Sequence, residues 1–476
     1  MTCPKPTPHS PLIEEGVGQS APFLSAPGWW YWLALLLAVL AYLLTAAGPL
    51  LMVEAAALAG LFFLRWQPGL FLTILAIPFS YAYKQVGPAL ISPADVLVWT
   101  TFLGWALRRC SQARHLAPTH IRSLRLSSLD WAIIALVATG FLSLLASEDK
   151  MAWLWEMRLV VVQPALLYLL VRSRSLGKTW LPMLGDALIL ASVAASAVGL
   201  YDYFVLGYVE RAEGVRRLLS AYYDSPNHLS LFLGRVVPIA VCMSAFGEKR
   251  ARRIARGMAL LPMLLCIYLT YSRGAWLVGL PASLLFIGMM RGRRATLLAL
   301  GLLLVGAVAL LPVMATSRFE SLFRPGSGTS MLRILLWTGT LRMIGAHPLW
   351  GVGLGNFQRQ YLRYMLPEAW REPNLYHPHN LVLDFWAVLG IPGVIALIWM
   401  VAAFYGLAVR LYRRLGEPES RALVLGLMAS MVNFLAHGLV DTTYFLADLA
   451  LVFMLTLGIV SRLNRIGADQ EGLARL

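Results

Sequence analysis

Long apolar runs, such as "LILASVAASAVGL" (188–200) and "GLLLVGAVALLPV" (301–313), recur along the chain between short breaks containing arginine, glycine or proline. This pattern constrains the fold more than any other feature. A bilayer core needs about 20 apolar residues per helix, and lipid satisfies no exposed backbone group, so each run must close its own hydrogen bonds as a helix. Composition agrees: the 476 residues are 59% hydrophobic and 13% charged, against about 25% charged in soluble domains. The sequence therefore predicts an all-α polytopic membrane protein.

Fourteen apolar spans are expected, near 29–46, 49–65, 69–85, 93–108, 130–146, 157–171, 181–205, 228–246, 257–271, 275–290, 295–313, 379–408, 422–438 and 444–460. Several are short, and twelve is equally defensible. Either even count leaves both termini on one side. The basic clusters "EKRARRIAR" (248–256), "RGRR" (291–294) and "RLYRR" (410–414) mark the cytoplasmic face. This threading predicts a cytoplasmic tail over 1–28, helices over 29–313, one long, partly helical periplasmic loop over 314–378, helices over 379–460 and a cytoplasmic tail over 461–476. The first apolar run reads as a retained helix, not a signal peptide.

The net charge of +16 does not indicate nucleic acid, because the cations sit in short clusters between apolar runs. Cys3, Cys110, Cys242 and Cys266 form no CxxC pair, and no disulfide framework or zinc site is indicated. In the long loop, "RPGSGTS" (324–330) breaks the chain. Residues 331–345 then have helical spacing, with Leu332, Leu335, Leu336 and Leu341 toward one side, as in a helix lying on the membrane. "WGVGLGNF" (350–357) superficially resembles a nucleotide fingerprint, but it follows no parallel strand and lacks GK[ST].

The informative residues are polar groups at the outer membrane edge. Arg273 stands at the Ser-Arg-Gly corner of a tight helical hairpin, either snorkelling to headgroups or facing an oxyanion beside exposed backbone N–H groups. Arg333 lies four residues before Trp337, as a cation–π partner, a solvated charge or a site residue. Arg211, Arg216 and Arg217 occupy a polar, aromatic external loop and are suited to phosphate, sugar or anionic lipid. Arg235 lies inside a span, where pairing with Asp202 or Glu156 and a functional role weigh equally. His377 and His379 flank Pro378, and Asn380 and Asp384 share a face of the following helix. Either histidine suits a helix cap, or a base that takes a proton from a hydroxyl near neutral pH. His437 and Asp441 bracket another external turn, as a supporting pair or a structural one. The two histidines, separated by proline and without a carboxylate cluster or DxD nearby, do not make a metal site.

Arginines and a candidate base at one leaflet suit transfer from a lipid-linked diphosphate. Guanidinium groups hold the leaving diphosphate while an imidazole deprotonates the acceptor hydroxyl. The pieces "AYYDSPNHLSLFL" (221–233), "YSRGAW" (271–276), "LRILLWTGTLRMIGAHPLWGVGLGNF" (332–357), "HPHNLVLDFWAVLGIPG" (377–393) and "HGLVDTTYF" (437–445) resemble, in order, the O-antigen ligase and O-antigen polymerase superfamily of bacterial envelope enzymes. The resemblance covers most of the chain from about residue 200.

It implies His379 as general base and Arg273 and Arg333 as the diphosphate clamp. Arg216, Arg217, Asn380, Trp337 and His377 would contact diphosphate or sugar, with Asp384, His437 and Asp441 in support. It also implies an undecaprenyl-diphosphate-linked glycan donor, a lipid A-core acceptor, surrounding membrane lipids, no metal and no soluble cofactor, at the periplasmic face of the bacterial inner membrane. The alternatives are an O-antigen polymerase, a protein O-oligosaccharyltransferase and, from a different class, a small-anion transporter with polar residues near the midplane.

Overall fold

The computed structural model describes residues 28–45, 48–87, 89–113, 126–223, 225–314, 316, 328–370 and 374–473. The expected tail over 1–27, the last residues of the C-terminal tail and most of the "RPGSGTS" breaker lie outside the described residues. Every expected apolar run is helical over most of its length. The first eleven runs become α1 (Trp29–Leu44), α2 (Leu50–Leu64), α3 (Gln67–Ala76), α4 (Pro93–Ala113), α5 (Ser128–Leu142), α6 (Lys150–Arg172), α7 (Trp180–Leu206), α8 (Pro226–Phe246), α9 (Arg250–Leu269), α10 (Ala275–Arg291) and α11 (Arg293–Ala309). The long loop contributes α12 (Gly328–Ala346) and α13 (Phe357–Tyr364), and α14 (Leu381–Arg414), α15 (Pro418–Gly438) and α16 (Ala447–Leu473) complete the chain.

Among the described residues, seven helices are long and apolar enough to cross a membrane: α5 with its 3₁₀ extension, α6, α7, α8, α14, α15 and α16 up to Gly467. Four shorter apolar helices accompany them, at Trp29–Leu44, Leu50–Leu64, Gln67–Phe79 and Ala275–Arg291. The protein is an all-α, multi-pass membrane protein.

Two of the expected boundaries change. The run 69–85 stops being helical at Phe79, and the chain enters a hairpin of β1 (Lys84–Val86) and β2 (Ala89–Ile91). The loop after α7 holds a second antiparallel hairpin, β3 (Val209–Ala212) and β4 (Val215–Leu218), with Arg211 opposite Arg216 and Glu210 opposite Arg217. Its two-residue turn, Glu213-Gly214, has both residues at positive φ (49° and 78°), as a type I′ turn requires.

Local chemistry sets several helix starts. Ser225 caps α8 by accepting from the His228 amide, and Pro226 follows at a position needing no N–H. Ser127 and Asp130 form a reciprocal capping box on α5. Asn380 caps α14 by accepting from the amides of Val382 and Leu383.

The core lies around α8, α15 and α16, whose apolar windows are 78%, 78% and 83% buried inside the protein. Here α8 packs on α9 and α15, and α16 on α6. By contrast α1 and α11 present leucines outward, as lipid-facing helices do. Arg235 in α8 is buried, with Nε donating to Ser430 Oγ at 3.2 Å and its guanidinium 4.8 Å from the Phe434 ring centroid. Neither expected carboxylate pairs with it. Asp202 instead accepts from Ser220 Oγ and the Ala221 amide, and Glu156 lies near His377 and Asp384.

The glycine-rich loop 350–356 is a structural wedge. Gly351, Gly353 and Gly355 all take positive φ. Gly351 packs where α14 breaks its helical path at Gly390, while Gly353 and Gly355 pack on the α5–α6 turn and the start of α6. The amides of Val352 and Gly353 donate to the carbonyls of Ala387 and Val388 at 2.8 and 3.1 Å. These are carbonyls that the kink leaves without helical partners. A Cβ on Gly353 would stand 1.9 Å from Ser147 Oγ, so this approach requires glycine.

Expected as a surface helix, α12 packs instead against α13 and α14. Leu336, Thr340, Met343 and Ile344 are buried while Leu341 is exposed. At 100° per residue, Leu341 points about 140° away from Leu336, so the expected leucine face does not exist as one stripe.

Candidate active site

The site forms where four polypeptide corners meet at one end of the helices: the turn before α10, the start of α12, the "HPHN" segment before α14, and the turn between α15 and α16. Hairpin β3–β4 leans on the first of these.

His379 is the centre of the cluster. Its Nδ1 lies 2.7 Å from Asp441 Oδ1, in the α15–α16 turn. With the proton on Nδ1 donated to that carboxylate, Nε2 is left as an acceptor, the tautomer a general base needs. The side chain is 33% exposed, so a substrate can reach it. Its backbone sits in the left-handed region, at φ 51°. Among the described residues only Glu213, Tyr271 and His379 are non-glycine residues at positive φ, and all three border this cluster. Strain concentrated at one place is a recognised mark of a functional site.

Arg333, in the first turns of α12, approaches the other Asp441 oxygen at 3.4 Å. Four residues on, among the described residues Trp337 makes no cation–π contact with Arg333. Its indole Nε1 donates to Pro378 O at 2.9 Å, fixing the segment between the two histidines. Asn380 both caps α14 and donates to Leu439 O at 2.9 Å, tying that segment to the end of α15. Burial pushes the Asp441 carboxyl up, but the His379 ring, the Arg333 guanidinium and His437 outweigh it and hold Asp441 well below the usual carboxylate range. The carboxylate stays charged and can stabilise an imidazolium beside it.

Arg273 completes the constellation. The chain turns sharply after α9, with Tyr271 at φ 51°, and Trp276 Nε1 braces the corner on Ile267 O at 3.1 Å. A Cβ on Gly274 would lie 2.5 Å from His437 Nε2, so the glycine lets the corner sit against α15. Burial lowers the Arg273 pKa, Glu213 raises it, and the neighbouring Arg333 and Arg217 lower it further. Arg273, Arg333 and Arg217 thus lie within electrostatic reach of one another, a concentration of positive charge suited to a multiply charged anion.

The remaining expected residues divide. Arg217 is buried and committed: Nε donates to Thr270 O at 2.9 Å, Nη1 to Glu210 Oε1 at 2.7 Å and Nη2 to Asn227 Oδ1. It fixes the β3–β4 hairpin to the Arg273 corner. Arg216, on the opposite face of the strand, is exposed, with its guanidinium 5.8 Å from the Tyr203 ring centroid. His437 is fully buried against the corner. His377 pairs with a different carboxylate: its Nδ1 is 3.4 Å from Asp384 Oδ1, and its ring stacks on Phe445 at 6.4 Å, with Asp441 acting on it from farther away. Asp384, expected to orient His379, belongs to His377.

One residue escaped the sequence reading, and another, Glu156, was expected beside Arg235 instead. Glu213 acts on Arg273 from the hairpin turn, and Glu156 acts on His377 and Asp384 from α6. The Glu-Gly turn signal could have located Glu213. Nothing local marks Glu156, which is brought to the site by helix packing.

No curated protein matches the chain. The family model described as O-antigen ligase matches residues 258–398, the stretch holding the Arg273 corner, α12 with Arg333 and the "HPHN" segment, and over that stretch the chain is similar to the O-antigen ligase family.

Proposed function

We propose that this protein is an O-antigen ligase acting at the periplasmic face of the bacterial inner membrane. It transfers a glycan from undecaprenyl diphosphate to a hydroxyl of the lipid A core. The observation that carries the reading is the His379–Asp441 hydrogen bond, with Arg333 on the other Asp441 oxygen. A base with a fixed tautomer stands next to guanidinium groups that suit a diphosphate.

In this reading the acceptor hydroxyl approaches His379 Nε2, which takes its proton. The oxygen attacks the anomeric carbon, and the bond from that carbon to the diphosphate oxygen breaks. Undecaprenyl diphosphate leaves with its new negative charge facing Arg273 and Arg333. Asp441 steadies the imidazolium that forms. One direct displacement inverts the anomeric configuration. The guanidinium groups carry the charge that a divalent ion neutralises in other glycosyl transfers. Charge on the connecting segments supports the orientation: the densest basic clusters lie at the other ends of these helices.

The test is transfer by purified protein from a lipid-linked glycan to rough lipopolysaccharide in EDTA. Capped lipopolysaccharide formed by wild type and absent with His379→Ala supports the reading. Joining of one lipid-linked repeat to another, without capping, would identify a polymerase instead. Transfer to a protein hydroxyl would identify a protein glycosyltransferase, and unchanged substrates in all combinations would reject the family of reactions.

A further inference from the structure

The helices that bear the active-site corner at one end border a cavity at the other. It has a volume of about 340 Å³, and Phe246, Arg253, Arg291, Tyr412, Arg421 and Leu425 line it. Arg253 opens α9 while Arg273 follows its end, and Arg421 opens α15 while Asp441 follows its end. Twenty residues at 1.5 Å each separate the two sites by roughly 30 Å, the thickness of the hydrocarbon core. The cavity therefore lies at the opposite, basic face of the membrane domain.

Arginines at such a face commonly act only as orientation signals. Three features set these apart. First, they converge on one cavity from three helices, and no acidic side chain lines it. Neighbouring cations on this face do have carboxylates: Arg256 bonds Asp186 at 2.7 Å and also Glu419, and Lys178 bonds Glu417 at 2.7 Å. Among the described residues no ion pair joins Arg253, Arg291 or Arg421 to an acid.

Second, the guanidinium groups are held in place. That of Arg291 lies 4.2 Å from the Phe246 ring centroid and that of Arg421 4.7 Å from the Tyr412 centroid. Arg253 Nε and Nη2 donate to the carbonyls of Ser244 and Ala245 at 2.9 Å each. Stacked, planar cations keep their N–H edges for a ligand and lose little freedom on binding. Third, Ala422 and Leu425 give the cavity an apolar wall, which a free inorganic ion would leave unused.

We propose that this cavity binds the phosphate of an anionic phospholipid from the basic-side leaflet, with its acyl chains along the apolar wall. Arg291 and Arg421 donate to the phosphate oxygens. The site is independent of the glycosyl-transfer reading.

The test uses full-length protein in nanodiscs of phosphatidylglycerol and phosphatidylethanolamine, with retained lipid counted by native mass spectrometry after stepwise delipidation. Wild type should retain phosphatidylglycerol selectively. The double variant Arg291→Gln/Arg421→Gln should lower that retention about tenfold or more. Arg291→Lys/Arg421→Lys, which keeps the charge but not the planar stack, should lower it less. Tyr412→Leu supplies a milder lesion with the same expected direction if the double variant does not fold. Equal retention in wild type and variants overturns the proposal. Release of the lipid by millimolar inorganic phosphate would assign the cavity to free phosphate and also overturn it.

Discussion

His377 and His379 share one tripeptide with Pro378, yet their rings meet different carboxylates on different elements. His379 bonds Asp441 at 2.7 Å from a left-handed backbone, with a third of its side chain exposed. His377 lies 3.4 Å from Asp384 on α14, stacks on Phe445 and is 18% exposed. The first arrangement leaves one ring nitrogen open beside arginines. The second encloses a ring between buried acids, with Glu156 also acting on it. The same residue type is placed once with an accessible ring nitrogen, as the proposed proton transfer requires, and once enclosed among acids.

The largest effect should come from the exposed pair. His379→Ala is expected to lower the transfer rate by about 10²–10⁴-fold at normal protein levels, measured on lipid-linked donor and rough lipopolysaccharide. Asp441→Asn should cost less than His379→Ala but still on the order of 10²-fold, because it removes the charge that steadies the imidazolium. Asp384→Asn should leave the rate per folded molecule within about tenfold of wild type. If Asp384→Asn and Asp441→Asn were equally damaging, the distinction between the two histidines would fail.

Arg273→Ala and Arg333→Ala should each cost about 10²–10³-fold, the scale of removing one donor to a developing anion. Arg333→Lys should recover more than Arg273→Lys, because Arg333 also acts as a point charge on Asp441. Equal recovery in both would separate Arg333 from the His379–Asp441 unit.

The enclosed pair should show in stability rather than rate. Burial lowers the His377 pKa, but Asp384 and Glu156 outweigh it and raise the pKa above the ordinary 6.5. Protonated His377 therefore stabilises the fold fully below pH 6.5, and that contribution is lost as pH rises through the raised folded-state value. Thermal unfolding of wild type in detergent should weaken across that range, while His377→Gln should be flatter there and less stable below it. A parallel pH dependence in both proteins would remove His377 from this role.

The smallest effect is expected for Trp337→Phe. It removes one hydrogen bond to Pro378 O, worth about 1 kcal/mol, and should shift stability with only a several-fold change in rate.

Much of this was legible in the chain. The apolar runs set the helices, since no alternative closes backbone hydrogen bonds in lipid. The "YSRGAW" corner and the "HPHN" segment stood out because arginine and histidine are costly at a membrane. Less legible were features created by approach. Arg217 looked available for phosphate until three bonds to Thr270, Glu210 and Asn227 engaged it. The leucines of α12 suggested a membrane-lying face, but packing buried Leu336 together with Met343 and Ile344 and left Leu341 exposed. The three-glycine loop, whose likeness to a nucleotide fingerprint the sequence already argued against, uses the amides of Val352 and Gly353 to bond the carbonyls of the α14 kink.

By itself the sequence determined an all-helical membrane protein and the residue types able to hold a diphosphate and move a proton, because hydropathy and side-chain chemistry are properties of single positions and short windows. Only the tertiary structure decided which carboxylate serves which histidine. Asp441 lies 62 residues beyond His379 and Asp384 only seven beyond His377, and a hydrogen bond depends on where helices bring two atoms together, which no local pattern encodes.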